Sequence, residues 1–428
     1  MFKTLVNAWK IADLKKKILF TLFIILLYRV GVAIPIPYLD KTALDQMMLM
    51  TDGSIFQYLN LLSGNAFSQA TLFALGVSPY ITSSIVMQLL TVAIPALERM
   101  AKDGQEGQKK ITQITRYVTV GLALVTAIGY YMMLKNYGAL TDTSFFAAAV
   151  AVSCYCAGSS LVMWLAEKVN EFGIGNGISM ILLANIISGA PSIITSVWNS
   201  VASGAVKGIV IAAVSVIIGF GMIVFVIFMH DSERRLPIQY AKKVVGRKQY
   251  GGQASNLPIK LTMTGVMPII FANSIITIPA TIAMFFPPKD GSFWQKVINL
   301  FGAGSWFYAL ITFLLIIAFA YFYAAISFNP IEIANNLKKN GGFIPGIRPG
   351  KPTSDYITKI VNRIILIGAI MLSIIAIVPM IANIFSGNQM SALAFSGNSI
   401  IIVVGVILET TREIESQMTM RHYKGFLE

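Results

Sequence analysis

Within the apolar stretches of this 428-residue chain, ionisable side chains are few enough to name. Arg29 lies toward one end of the first apolar run and Glu409 near the end of the last. His230 sits at a segment boundary and His422 in the C-terminal tail. An ion-coupled carrier buries Asp, Glu, His or Lys on its pathway, because coupling needs a titratable or ion-binding group. No such relay can be assembled here. Intramembrane serine hydrolysis fails for want of a histidine, and no cluster has metal-ligand spacing, so neither metal nor cofactor is expected. The nearest string to a nucleotide-binding loop, Gly346-Ile347-Arg348-Pro349-Gly350-Lys351-Pro352, has the wrong spacing and no hydroxyl. Gly173-Ile174-Gly175-Asn176-Gly177-Ile178-Ser179 lacks a βαβ unit and reads as a tight turn into a closely packed helix. Cys154 and Cys156, two apart on a helix, point to different faces and read as small apolar fillers. The chain thus carries no enzyme chemistry. If its function consumes energy, another chain supplies it.

The elements behind these residues are membrane helices. The chain is 56% hydrophobic and only 12% charged, about half the share of a globular protein. That composition excludes a soluble enzyme, a disordered chain and a disulfide scaffold. Long uncharged runs without strict alternation exclude a β-barrel. Bilayer-length runs of roughly 20 residues predict an all-α polytopic protein with ten spans, near 18–37, 71–94, 117–134, 145–165, 178–199, 208–230, 263–285, 305–328, 364–384 and 397–412. The first run follows a basic leader and lacks a small-residue cleavage site, so it reads as a retained span. Of the 33 Lys and Arg, 27 fall in the termini and even-numbered linkers and 5 in the odd-numbered ones. The positive-inside rule therefore puts both termini in the cytoplasm. Five spans per half (1–200 and 201–428) mean that the second half enters from the opposite side. If the halves share a fold, they form an inverted repeat with a path between them. Internal sequence identity is not evident.

Two linkers exceed what topology needs. Segment 231–261 carries seven Lys and Arg, among them Arg234, Arg235, Lys242, Lys243, Arg247 and Lys248, and segment 329–363 carries six, including Arg348. Such loops suit either anionic lipid or an acidic docking partner such as ribosomal RNA. Arg348 is flanked by Pro345, Gly346, Pro349 and Gly350, which set its backbone in a turn. Between Gly53 and Leu97 the sequence is too polar for two spans and too long for one. A short helix near 54–62, a break at Ser63-Gly64-Asn65 and a second helix from about Leu72 fit it. The short piece reads as an outer interfacial helix or as a re-entrant helix in a cavity.

Three strings carry a family resemblance. Thr71–Gln88 (TLFALGVSPYITSSIVMQ), Trp164–Ser179 (WLAEKVNEFGIGNGIS) and Asn336 through Gly350 resemble, in order, signatures of the SecY family of protein-conducting channel subunits. The resemblance implies a clamshell of two five-helix halves around a central pore. Its constriction would be ringed by Val77, Ile81, Ile178, Leu182, Ile270 and Ile402. It implies a plug built from Ser54, Ile55, Phe56, Tyr58, Leu59, Leu62 and Gly64, and a lateral gate toward lipid bearing Gln88 and Asn273, whose polar groups would bond across the seam. The basic residues named above would dock the SecA ATPase or the ribosome. Small SecE and SecG subunits, a signal-sequence-bearing polypeptide and anionic lipids complete the implied partners, in a bacterial cytoplasmic membrane. The rivals are a small-solute carrier, which would need a polar midplane site, and a poreless membrane scaffold, which would need no broken span.

Overall fold

The structure is a computed structural model, and it describes residues 2–40, 42–44, 59–60, 62–202, 206–240, 243–245, 248–250, 254–263, 265–285, 292–301, 305–385 and 396–424. It is mostly helical. A helix or helix pair falls in each of the ten expected stretches: Ala12–Val32, Ser78–Ala93, Gly104–Asn136, Phe145–Phe172, Gly177–Ala202, Val206–Asp231, Met267–Ile276 with Ile278–Phe285, Trp306–Ser327, Lys351–Phe385 and Ser396–Lys424. Among the described residues, five helices are long and apolar enough to cross a membrane. The count is six if Ser78–Ala93 and Pro95–Lys102, bent by 100°, make one span. The bend falls at Ile94, whose extended backbone precedes Pro95 as proline requires.

Two expectations are corrected. The helix expected from Leu72 begins at Ser78, because residues 64–77 are tied into turns by other helices. The Leu72 N–H donates to the Ile34 carbonyl, and Thr71 bridges to Pro35. Three buried tyrosines from three helices donate to carbonyls in or just before this segment: Tyr28 to Ser63 (3.5 Å), Tyr130 to Phe67 (2.5 Å) and Tyr155 to Ala70 (3.4 Å). A non-helical backbone inside protein is tolerated when its polar groups are met in this way.

The second correction is to the all-α class. Strand β1 (Glu233–Tyr240) is followed by a short hairpin, β2 (Lys243–Val245) with β3 (Lys248–Tyr250), and then by β4 (Ala254–Lys260). With β5 (Gly342–Phe343), β1 and β4 form a three-stranded sheet in the order β4-β1-β5. The register is Leu236 opposite Leu257, and Gln239 opposite Phe343. Leu236 and Ile238 alternate with exposed neighbours and join Ile259, Leu337 and Ile357 in one apolar cluster. That period of two is a strand signal inside segments whose polarity marks them as loops.

The largest core cluster is shared by most of the long helices and includes Tyr28, Phe73, Ile181, Leu182, Val226, Phe271, Leu372 and Ile402. Ser78–Ala93 packs on Met267–Ile276, and Gly104–Asn136 on Ile278–Phe285. At the second contact the Phe285 ring occupies the space a Cβ on Gly129 would need, 2.6 Å away.

Candidate functional site

Two of the helices that meet at the centre begin alike. Gly76-Val77-Ser78-Pro79 opens one and Gly265-Val266-Met267-Pro268 the other. Each glycine has positive φ, +53° and +58°. Each valine caps its helix in nearly the same conformation, −89°/−8° for Val77 and −88°/−5° for Val266, with proline in the first turn. Glycine allows the left-handed turn, and proline is preorganised where no N–H partner is needed. Four residues after each valine comes an isoleucine, Ile81 in one helix and Ile270 in the other. This four-residue repeat is the internal identity that the sequence reading missed.

Ile81 and Ile270 line one cavity with Leu182, Ile402, Leu59, Leu62, Ser78, Thr82, Ser274 and Thr277. Its volume, about 40 Å³, admits a few waters. It is far too small for an extended polypeptide. Val77 is buried in the same apolar cluster, and Ile178 packs against it. The structure therefore gathers all six predicted ring residues into one cluster, four of them on the cavity wall. Ile178 and Leu182 lie on a helix that opens through the Gly173–Gly177 loop. That loop is filled by protein: Ile174 N–H donates to Thr21 Oγ1 (3.0 Å), Gly175 N–H to Glu413 (3.1 Å) and Gly177 N–H to Asn170 (2.7 Å). A Cβ on Gly177 would fall 1.9 Å from the Ala166 carbonyl, so close packing is why glycine stands there.

Of the predicted plug residues, Leu59 and Leu62 face the cavity from a helical piece ending at Ser63. Ser54, Ile55, Phe56 and Tyr58 lie outside the described residues. Gly64 turns the chain at φ +65°. Its neighbours are polar. Asn185 Nδ2 donates to the Leu62 carbonyl (2.6 Å) and to the Tyr28 hydroxyl (2.9 Å). Arg29 donates to the carbonyls of Gly64 (3.5 Å) and Ala184. Arg29 thus points to protein. Asn185, fully buried, and Tyr28 were not singled out by the sequence, since one amide or phenol in an apolar span is ordinary.

The predicted gate pair is not joined by a hydrogen bond. Gln88 donates within its own helix to Ser84 (3.5 Å), and the buried Asn273 accepts from Asn398 (3.3 Å) on the last helix. Although their two helices touch, each amide has a nearer partner.

The basic residues divide. Arg348 is exposed in a turn with Gly346 and Gly350 at φ +83° and +103°, and Thr353 Oγ1 donates to its carbonyl (2.8 Å). Arg234 and Arg235 are exposed on β1, and Arg235 pairs with Glu233 (2.6 Å). Lys243 and Lys248 begin β2 and β3. Lys242 and Arg247 lie outside the described residues. The sheet joins the two basic segments, expected as separate loops, into one unit.

The sequence profile of SecY matches residues 71–411, which hold the ring residues, the first half of the last helix and both basic segments. The chain belongs to the SecY family. Curated relatives, each named a protein translocase subunit SecY, are 43% identical in Streptomyces galbus and 41% in Mycobacterium bovis, and both alignments span the whole of each chain. A solved protein-conducting channel has a TM-score of 0.67 at 17% identity over 94% of this chain and 92% of that one. Sec61 in a canine ribosome–channel complex gives 0.63 at 16%, with the same coverage. These two share the SecY fold. The Asn185 and Arg29 contacts around Gly64 lie outside the family strings that the sequence reading used.

Proposed function

We propose that the chain is the pore subunit of a protein translocase, a passive channel for unfolded polypeptides with no catalysis of its own. The observation that carries this is the cavity: aliphatic side chains from four separate helices converge on it, with Leu59 and Leu62 on the same wall. An apolar constriction stops ions by dewetting, yet has no fixed polar grip on a passing chain. In this reading ten helices span the bilayer as two five-helix halves, and the Gly-Val-x-Pro repeat is consistent with an inverted relation between them. Val77, Ile81, Ile178, Leu182, Ile270 and Ile402 form the ring, and residues 54–65 the plug. The seam between Ser78–Ala93 and Met267–Ile276 is the lateral gate. Sufficiently apolar segments leave through it, since a central Leu gains roughly 0.3–0.6 kcal/mol in lipid and a charge costs roughly 2.5–3.5.

Both termini and the sheet face the cytoplasm of a bacterial cell. There Arg348 and its basic neighbours dock a motor ATPase of the SecA kind or a ribosome, and anionic lipid meets the remaining positive charge. Two small subunits of the SecE and SecG kind accompany the chain. The test replaces Cys154 and Cys156 with Ser, places one Cys at Ile270 and stalls a secretory client carrying a single Cys. Cross-linking that requires the signal sequence and ATP is expected. Its absence from a demonstrably stalled complex refutes the pore assignment and returns the solute-carrier reading to an uptake test.

A further inference from the structure

The last helix does more than bring Ile402 to the cavity. About three turns further on and on the same face, Glu413 Oε2 accepts from the Gly175 N–H (3.1 Å), a residue 238 positions away in the chain. The other carboxylate oxygen is also taken. Gln417 Nε2 donates to Glu413 Oε1 (3.1 Å), and Lys17 Nζ donates to Gln417 Oε1 (3.1 Å). A polar relay therefore runs from the first turns of Ala12–Val32, across Ser396–Lys424, to the entry of Gly177–Ala202. The same elements share a small apolar cluster that buries Leu14, Ile174 and Ile414. The cluster and the relay differ in what they fix. Apolar burial is non-directional and tolerates sliding. A hydrogen bond has a preferred distance and angle, and so sets a register. Glu413 is itself exposed, so its bonds and not burial hold it in place. The loop fits closely at the bonded point: Gly175 has φ +80°, and a Cβ there would lie 3.0 Å from Thr410 Oγ1. Thr410 also donates to Met180 Sδ (3.8 Å), in the first turn of Gly177–Ala202. A carboxylate ahead of a helix N-terminus complements the helix dipole as well.

We propose that Glu413 is a positioning residue of the constriction: through the Gly175 N–H it sets the level of Ile178 and Leu182 against Ile402. The proposal rests on the channel reading above. Gly175 stands three residues before Ile178 and seven before Leu182, and Leu182 and Ile402 line the same cavity. A slip of the loop along the last helix therefore moves one part of the ring past another. The neighbouring Arg412 points elsewhere, to the His230 carbonyl (3.0 Å) and to Asp231 (2.9 Å) at the end of Val206–Asp231. Two adjacent charges thus key the last helix to two different helices. In the two-half reading, Arg412 holds its own half and Glu413 the other. The relay is a fixed joint between the halves, and it stays closed while the seam between Ser78–Ala93 and Met267–Ile276 parts.

The test uses the complex with its small subunits in vesicles and reads resting potassium efflux, with motor-driven client import as a second readout. Glu413→Ala removes the bond to Gly175. One hydrogen bond predicts a shifted register, and with it efflux, about 2- to 13-fold above wild type. Glu413→Gln keeps a carbonyl oxygen for the Gly175 N–H and should stay near the wild-type level. In the Glu413→Ala chain freed of Cys154 and Cys156, bridging Met180→Cys to Thr410→Cys with a short bifunctional thiol reagent ties the same two helices and should return efflux to the wild-type level. The same bridge in a chain that keeps Glu413 should leave import intact, and this arm carries the test if Glu413→Ala does not assemble. Wild-type efflux from Glu413→Ala overturns the proposal and leaves the channel reading standing. So does a Glu413→Gln chain as leaky as Glu413→Ala, efflux that survives bridging, or a bridge that blocks import. Failure of the wild-type complex to import any client overturns the channel reading, and the proposal with it.

Discussion

Gly64→Ala tests the seat of the plug through sterics alone. A Cβ at this position would lie 2.6 Å from Asn185 Oδ1 and 2.9 Å from an Arg29 guanidinium nitrogen, and φ is +65°. The left-handed backbone costs an L-residue roughly 1–2 kcal/mol. The two neighbours must also retreat by several tenths of an ångström, weakening bonds to Leu62 and Gly64 that are each worth about 1 kcal/mol. The seated state is then disfavoured by roughly 2–4 kcal/mol, a roughly 30- to 900-fold larger unseated population. Resting potassium efflux from vesicles measures that population. Gly341→Ala is the control: its φ is +69°, but nothing lies within 4 Å of the new methyl. It bears strain alone, in a turn remote from the cavity, and should leave efflux unchanged. Wild-type efflux from Gly64→Ala, with the protein assembled and its thermal stability preserved, would refute the claim that this glycine seats a plug.

Three further outcomes are expected. Arg348→Glu should impair motor-driven import severalfold while leaving assembly and thermal stability intact, because the side chain is exposed and its turn is held by a backbone carbonyl; normal import would remove Arg348 from the docking surface. Tyr130→Phe keeps the ring against Phe67 at 4.7 Å but removes the bond donated to the Phe67 carbonyl, which retains the Ala70 N–H (3.3 Å), so stability in detergent should fall by about 0.5–1.5 kcal/mol. Tyr117→Phe, at a 76% exposed position, should be neutral. Leu182→Ala should cost about 2–5 kcal/mol as a core truncation and raise resting efflux by widening the constriction; a tight seal after this change would count against the ring.

The sequence displays what depends on runs of residues and hides what depends on single contacts. Helix positions followed from uncharged stretches of bilayer length, whereas Val77, Ile81, Ile178, Leu182, Ile270 and Ile402 stand out from other aliphatics only through the family resemblance. The strands were not foreseen, because ERRLPIQY was weighed by its charge and not by its alternation. The repeat of Gly-Val-x-Pro passed unnoticed because four residues among 428 carry no statistical weight until two helices are seen to start in one conformation. Gln88 and Asn273 were set on either side of one seam through the family resemblance. Distance instead pairs Asn273 with Asn398. Asn185 was invisible because its role is set by the Leu62 carbonyl, and backbone carbonyls leave no trace in a sequence.

The small sheet also has a mechanical meaning. Strand β1 continues from Val206–Asp231, and β4 runs back to it, with the Leu261 N–H tied to the Ser232 carbonyl (2.9 Å). Leu261 in turn lies against Gly368 of Lys351–Phe385, with its carbonyl 2.5 Å from where a Cβ would sit. Strand β5 links the same sheet to the segment that follows Pro330–Lys339. The end of Val206–Asp231 and the middle of Lys351–Phe385 are therefore fastened to one handle. A partner gripping that handle does not tug on a floppy loop. It applies torque to a block of helices that includes the one bearing Ile270, while Ser78–Ala93 and its Ile81 lie outside the grip.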